Sequence, residues 1–116
     1  VIDDDVSLRR ALSRLLRAAG YEVEVLESAQ AYLDREEVPH PSCLLLDVRM
    51  PVMSGLELHR RIAGKDAPSV VFITAHDDAR AKREAMALGA IDFLLKPLDD
   101  AVLLDAVQRA VERSRP

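Results

Sequence analysis

The stretch LLLDVRMPVMSG, residues 44–55, sets three leucines against one aspartate and then breaks into a loop carrying Pro51 and Gly55. With Cys43 in front, the apolar run has strand length and no polar alternation, the pattern of a strand covered on both faces. Asp47 stands at its C-terminal end, and in open parallel sheets ligands collect outside that end of the strands. Past the loop, Ser54 and Glu57 have the S-x-x-E spacing of a capping box, which predicts a helix from about Gly55 through GLELHRRIA. A strand buried on both faces and followed by a helix is half of a βαβ unit, so the same alternation is expected along the rest of the chain.

Working outward, it is there. Leu8, Ala11, Leu12, Leu15, Leu16 and Ala19 recur at helical spacing, with arginines on the other side and Gly20 placed to end the helix. YEVEVL then alternates at period two, as a strand does. A short helix, AQAYLDR, follows Ser28. After the central strand and helix come SVVFIT as a strand, ARAKREAMAL as a helix closing at Gly89, IDFLL as a short strand, and a last helix after PLDD. That helix carries Val102, Leu103, Ala106, Val107, Ala110 and Val111 along one face. Strict alternation implies parallel strands joined by right-handed crossovers, with helices on both faces of one sheet.

A chain of 116 residues makes one domain, 1–116. Sixteen Lys and Arg against twenty Asp and Glu leave a net charge of −4, which argues against a nucleic-acid-binding surface. No apolar stretch approaches the roughly 20 residues of a membrane span, and no signal peptide opens the sequence. The single Cys43 cannot form an internal disulfide and reads as a buried thiol, which fits a reducing cytoplasm. VI followed at once by DDD looks like the end of a strand whose start is missing, and ERSRP like the start of a linker.

The strand ends collect the chemistry. Asp3, Asp4 and Asp5 follow the first strand, Asp47 the third, Thr74 the fourth, and Lys96 with Pro97 the fifth; LES after the second adds nothing. Singly, each has an ordinary reading: a solvated acidic turn, a loop carboxylate, a strand-end threonine, a surface lysine. His40 reads as loop, His59 as a helix-surface residue, His76 as a polar loop residue, and the arginines of the first helix as a solvated face. Jointly, the strand-end groups place carboxylates, a hydroxyl and an ammonium on one rim. Packed carboxylates raise one another's pKa unless a cation sits among them, and a hard divalent ion such as Mg²⁺ resolves the repulsion. One carboxylate can then act as nucleophile toward an activated phosphoryl group, while Lys96 neutralises the transferring oxygens and Thr74 donates a hydrogen bond. Asp5 is better read as the N-cap of the next helix.

The runs VIDDDVSLRRAL, LLLDVRMPVMSGLEL, FITA and GAIDFLLKPL, in this order and at these separations, resemble the receiver domain of two-component response regulators over nearly the whole chain. The resemblance is greatest to regulators of transcription that carry a C-terminal helix-turn-helix. It implies a flavodoxin-like fold, a single five-stranded parallel sheet of order 2-1-3-4-5 flanked by five helices. It implies phosphorylation of Asp47 by a sensor histidine kinase or phosphotransfer protein. It also implies a Mg²⁺ site of Asp3 (through water), Asp4, Asp47 and the backbone carbonyl of Arg49. Thr74 and Lys96 are implied as catalytic partners, Thr74 and Phe93 as the switch, and the Lys96–Pro97 bond as cis. Phosphorylation is then expected to reshape the surface of the fourth helix, fifth strand and fifth helix, for an output domain or a second receiver as in a homodimer. Arg49 and His76 occupy positions that shape water access to the phosphoryl group in receivers. Two rivals remain at this point. A haloacid-dehalogenase-type phosphohydrolase would need a second acid where Arg49 stands, and a degenerate receiver that only mediates contacts would not need the five polar groups.

Overall fold

Asp5 starts the first helix by accepting hydrogen bonds from the backbone N–H groups of Ser7 and Leu8 at 2.9 and 3.3 Å. The computed structural model describes residues 1–35, 41–64 and 67–114; His40 falls outside them. The described elements are α1 (Val6–Ala18), α2 (Ala29–Asp34), β1 (Cys43–Asp47), α3 (Gly55–Ile62), β2 (Ser69–Thr74), α4 (Ala79–Ala87), β3 (Asp92–Leu95) and α5 (Asp100–Arg113). Each helix begins on a capping side chain from Asp5, Ser28, Ser54, Asp78 or Asp99, so an orphan N–H is satisfied at every start. Gly20 and Gly89, both at φ +96°, follow α1 and α4. The capping box at Ser54 forms in one direction: Ser54 Oγ accepts from the Glu57 N–H at 3.1 Å, while the Glu57 carboxylate pairs with Arg60 and Arg61.

β1, β2 and β3 pair in parallel, Asp47 opposite Ile73 and Phe72 opposite Phe93. The first two expected strands are reduced to contacts around one residue: Ile2 bridges in parallel to Leu46 on one side and Leu26 on the other. With the five expected strand segments counted in chain order, they lie side by side in the order 2-1-3-4-5, as the resemblance implied, the last three being the ladder β1-β2-β3. The period-two segment YEVEVL does not form a strand of its own length. It is bonded to the first residues by Val1 N to Glu24 O and Leu26 N to Val1 O, both 2.8 Å, and by Asp3 N to Leu26 O at 3.2 Å.

Helices cover both faces. Leu44, Leu46, Val70, Phe72 and Phe93 pack on one side with Leu58 of α3 and Ala81 and Ala85 of α4. Leu45, Val71 and Ile73 pack on the other with Leu12 and Leu16 of α1 and Leu103, Ala106 and Val107 of α5. Adjacent residues of one strand thus serve opposite cores, which is why CLLLD and SVVFIT carry no polar alternation. Val102, expected on the inner stripe of α5, is half-exposed; the helix faces the sheet through positions 103, 106, 107 and 110, a 3–4 spacing that leaves 102 at its margin. Among the described residues no helix is long and apolar enough to cross a membrane.

Candidate phosphoacceptor and metal site

The acidic turn is fixed before any ligand arrives. Asp3 is fully buried, and its Oδ1 accepts from the Asp5 N–H at 2.8 Å. Its Oδ2 accepts from Lys96 Nζ at 3.0 Å, and its backbone carbonyl accepts from Arg9 Nη1 at 2.7 Å. Asp47, 5 % exposed, ends β1 with Oδ1 accepting from the Arg49 N–H at 3.4 Å and Oδ2 lying 3.9 Å from Lys96 Nζ. One oxygen each of Asp3, Asp4 and Asp47 lies within 4.8 Å of the others, with Asp4 exposed. Thr74, buried, is placed by β2 and accepts from the His76 N–H at 3.1 Å, and the Lys96 N–H binds the Thr74 carbonyl at 2.8 Å. The Lys96–Pro97 bond is cis.

Three carboxylates against one ammonium leave the cluster short of positive charge. Burial first, and then the neighbouring Asp3, push the Asp47 carboxyl up to about 6, with Lys96 and the Arg49 N–H pulling the other way. An all-oxygen, under-neutralised donor set of this kind suits a hard divalent cation rather than a soft metal.

Position 49 carries an arginine, so no second acid stands two residues after Asp47, and its guanidinium lies 3.6 Å from the Asp78 carboxylate at the start of α4. Phe93 is buried, 8 % exposed, with its ring centroid 6.1 Å from that of Phe72. Two residues depart from their sequence reading. His59 is 6 % exposed rather than on the helix surface: with Gly55 and Leu58 it forms the i, i+3, i+4 stripe that α3 turns inward. Among the described residues its Nδ1 has no partner, its ring forms a T-shaped pair with Phe72, and burial lowers its pKa. Arg9 is no solvated arginine either, since it ties α1 to the Asp3 carbonyl; its position four residues after the Asp5 cap, on the turn nearest the acids, was the available signal. Cys43 is half-buried, its thiol pushed up to about 12 by burial.

The loop after Asp47 stores strain. Met53 N–H binds the Pro51 carbonyl at 2.8 Å, closing a three-residue turn around Val52, whose φ is +71°. A β-branched residue in the left-handed region is costly, and this one is fully exposed and packs against nothing. Val52→Asn is expected to stabilise the domain by about 1 kcal/mol; an unchanged or lower urea midpoint would contradict this.

The family model for the response regulator receiver domain matches residues 1–108. Nodulation protein W of Bradyrhizobium diazoefficiens is 44 % identical over 116 residues, covering 99 % of this chain and 51 % of that protein. Transcriptional regulatory protein FixJ of Azorhizobium caulinodans is 44 % identical over 115 residues, covering 98 % and 54 %. The chain thus spans about half the length of the curated relatives it matches. Among solved structures, the response regulator StyR superposes with a TM-score of 0.87 at 45 % identity, covering 97 % of this chain and 58 % of that one. FixJ-N superposes with a TM-score of 0.88 at 35 % identity, covering 99 % and 93 %. On this matched length, with a sheet of order 2-1-3-4-5, the chain belongs to the response regulator receiver domain family.

Proposed function

We propose that this domain accepts a phosphoryl group on Asp47 from the phosphohistidine of a sensor histidine kinase or phosphotransfer protein in the cytoplasm. In this reading it passes the resulting change to a transcriptional output domain. The observation that carries the reading is the meeting of Asp3, Asp4 and Asp47 within 4.8 Å beside Lys96. A carboxylate oxygen of Asp47 attacks phosphorus; the O–P bond forms, the P–N bond breaks, and the donor imidazole leaves, taking its proton from solvent. Lys96 meets the charge on the phosphoryl oxygens, and the Thr74 hydroxyl turns to donate to one of them. Asp4, Asp47 and the Arg49 carbonyl, with Asp3 through water, would hold Mg²⁺, which when bound neutralises the remaining oxygens. Thr74 moving toward the phosphoryl group lets Phe93 follow, and the surface of α4, β3 and α5 changes for an output domain or a second receiver. The domain acts on itself alone and turns over no separate substrate.

Incubation with Mg²⁺ and acetyl phosphate is expected to add the mass of one phosphoryl group, with no addition in Asp47→Asn or in chelator. A modified Asp47→Asn protein, or an unmodified wild type, would overturn the reading; turnover of a small phosphate ester would point instead to a phosphohydrolase. Asp4→Asn removes a metal ligand while leaving Asp47 in place, and its Mg²⁺ affinity by calorimetry is expected to fall at least about tenfold. Unaltered affinity would move the ion elsewhere.

A further inference from the structure

We infer that His59 is a positioning residue for the Phe93 ring, acting through Phe72; this deepens the switch reading above and rests on it. Three rings form a row across the sheet's α3–α4 face. His59 and Phe72 meet in a T-shaped arrangement, with centroids 5.3 Å apart and planes at 67°, and Phe72 meets Phe93 at 6.1 Å and 45°. Phe72 and Phe93 are register partners, and Thr74 stands two residues beyond Phe72, on the same face of β2.

When Thr74 leaves its place, two aromatic neighbours compete for the space: Phe72 on its own strand and Phe93 on the next. A response confined to Phe93 requires that Phe72 be held from its far side. His59 is the group that does this. Its ring is buried against Phe72, and α3 lies beside α4 with an Arg60–Glu84 ion pair between them, so the backing ring is held by packing on both helices. The unpaired Nδ1 also bears on the assignment: leucine would fill the same inward position of α3 with no orphan nitrogen. What histidine adds there is a second planar ring, which forms a T-shaped pair with Phe72, a geometry that aromatic pairs prefer.

The two phenylalanines of this chain are Phe72 and Phe93, so ring-labelled phenylalanine gives NMR signals from these two alone. On addition of beryllofluoride and Mg²⁺ to the wild type, Phe93 is expected to shift and Phe72 to stay nearly fixed. In His59→Ala the Phe93 response is expected to fall about twofold while Phe72 begins to move, because the emptied slot lets Phe72 retreat. His59→Phe, which restores a ring and adds a third signal recognised by its absence from the wild type, is expected to recover the wild-type division between Phe72 and Phe93. Should His59→Ala fail to fold, His59→Val, which removes the ring but leaves a smaller gap, carries the same comparison with a smaller change. Equal Phe72 and Phe93 responses in wild type and the shortened variant would overturn the role of His59. So would a His59→Phe variant that behaves like alanine. Silence of both rings and of the amides around Asp47 in the wild type would instead sink the phosphoacceptor reading, so the two failures are told apart.

Discussion

Gly55→Ala is expected to destabilise the domain by about 3 kcal/mol or more, the upper range for overpacking against an unyielding neighbour. A Cβ at Gly55 would land on the backbone carbonyl oxygen of Asp47 and lie 3.0 Å from both the Asp47 carbonyl carbon and Leu46 Cγ. The obstacle is backbone on the last residue of β1, which is hydrogen-bonded into the sheet through Asp47 N to Ile2 O at 3.0 Å. Gly55 opens α3 in ordinary helical conformation, so what the position demands is closeness rather than an unusual φ. The helix start must rest on the strand end because the Gly55 N–H binds the Val48 carbonyl at 2.9 Å. Relief would come from α3 backing away, which uncovers Leu58, now fully buried, and loosens the turn that holds Asp47. Mg²⁺ affinity should therefore fall with stability. Gly64→Ala is the control: no atom lies within 4 Å of a Cβ there, and it is expected to be neutral or slightly stabilising. Urea denaturation of both variants decides the matter, and a Gly55→Ala midpoint near that of wild type would mean that the strand end and α3 are less tightly joined than the structure has them.

Why Gly55 matters was only half legible in the sequence. Its place after a proline loop and a serine cap marked a helix start, but the contact with Asp47 is a tertiary fact that spacing does not encode. The polar rim was legible because strand ends are set by alternation, and alternation fixes which end of a parallel sheet each residue reaches. Asp3, Asp4, Asp47 and Lys96 do meet there, as that rule required. The edge strand was less legible: YEVEVL has the period of a strand, yet among the described residues it joins the sheet through a single bridge, Leu26 to Ile2. His59 shows the other limit. Two arginines follow it and the helix is short, so polarity pointed outward, whereas the stripe begun by Gly55 and Leu58 turned it into the core. Arg9 was missed for the same reason in reverse: among the arginines of α1, only its place one turn after the Asp5 cap set it apart, and charge pointed outward.

Asp47→Asn is expected to stabilise the metal-free domain at neutral pH, although it abolishes phosphorylation. An Asp47 carboxyl raised to about 6 keeps its proton in the folded state at pH values where the unfolded chain, in the ordinary carboxylate range, has already lost it. Between about pH 4 and 6 the folded state therefore binds more protons than the unfolded one, and stability falls as pH rises through that window. The loss is complete above it and persists at neutral pH. A shift of this size corresponds to about 3 kcal/mol, and asparagine, which escapes the charge penalty but forgoes the attraction of Lys96, should recover about 2 kcal/mol. Urea denaturation in chelator is expected to show the two proteins close together near pH 4, with the variant pulling ahead between about pH 4 and 6 and keeping its lead above that. Millimolar Mg²⁺ should narrow the gap, because a cation among Asp3, Asp4 and Asp47 removes the repulsion that the substitution had removed by deleting a charge. A gap independent of pH would mean that the variant acts through packing. A wild type more stable than the variant in chelator at neutral pH would mean that Lys96 already balances the cluster, leaving a divalent ion little to neutralise there.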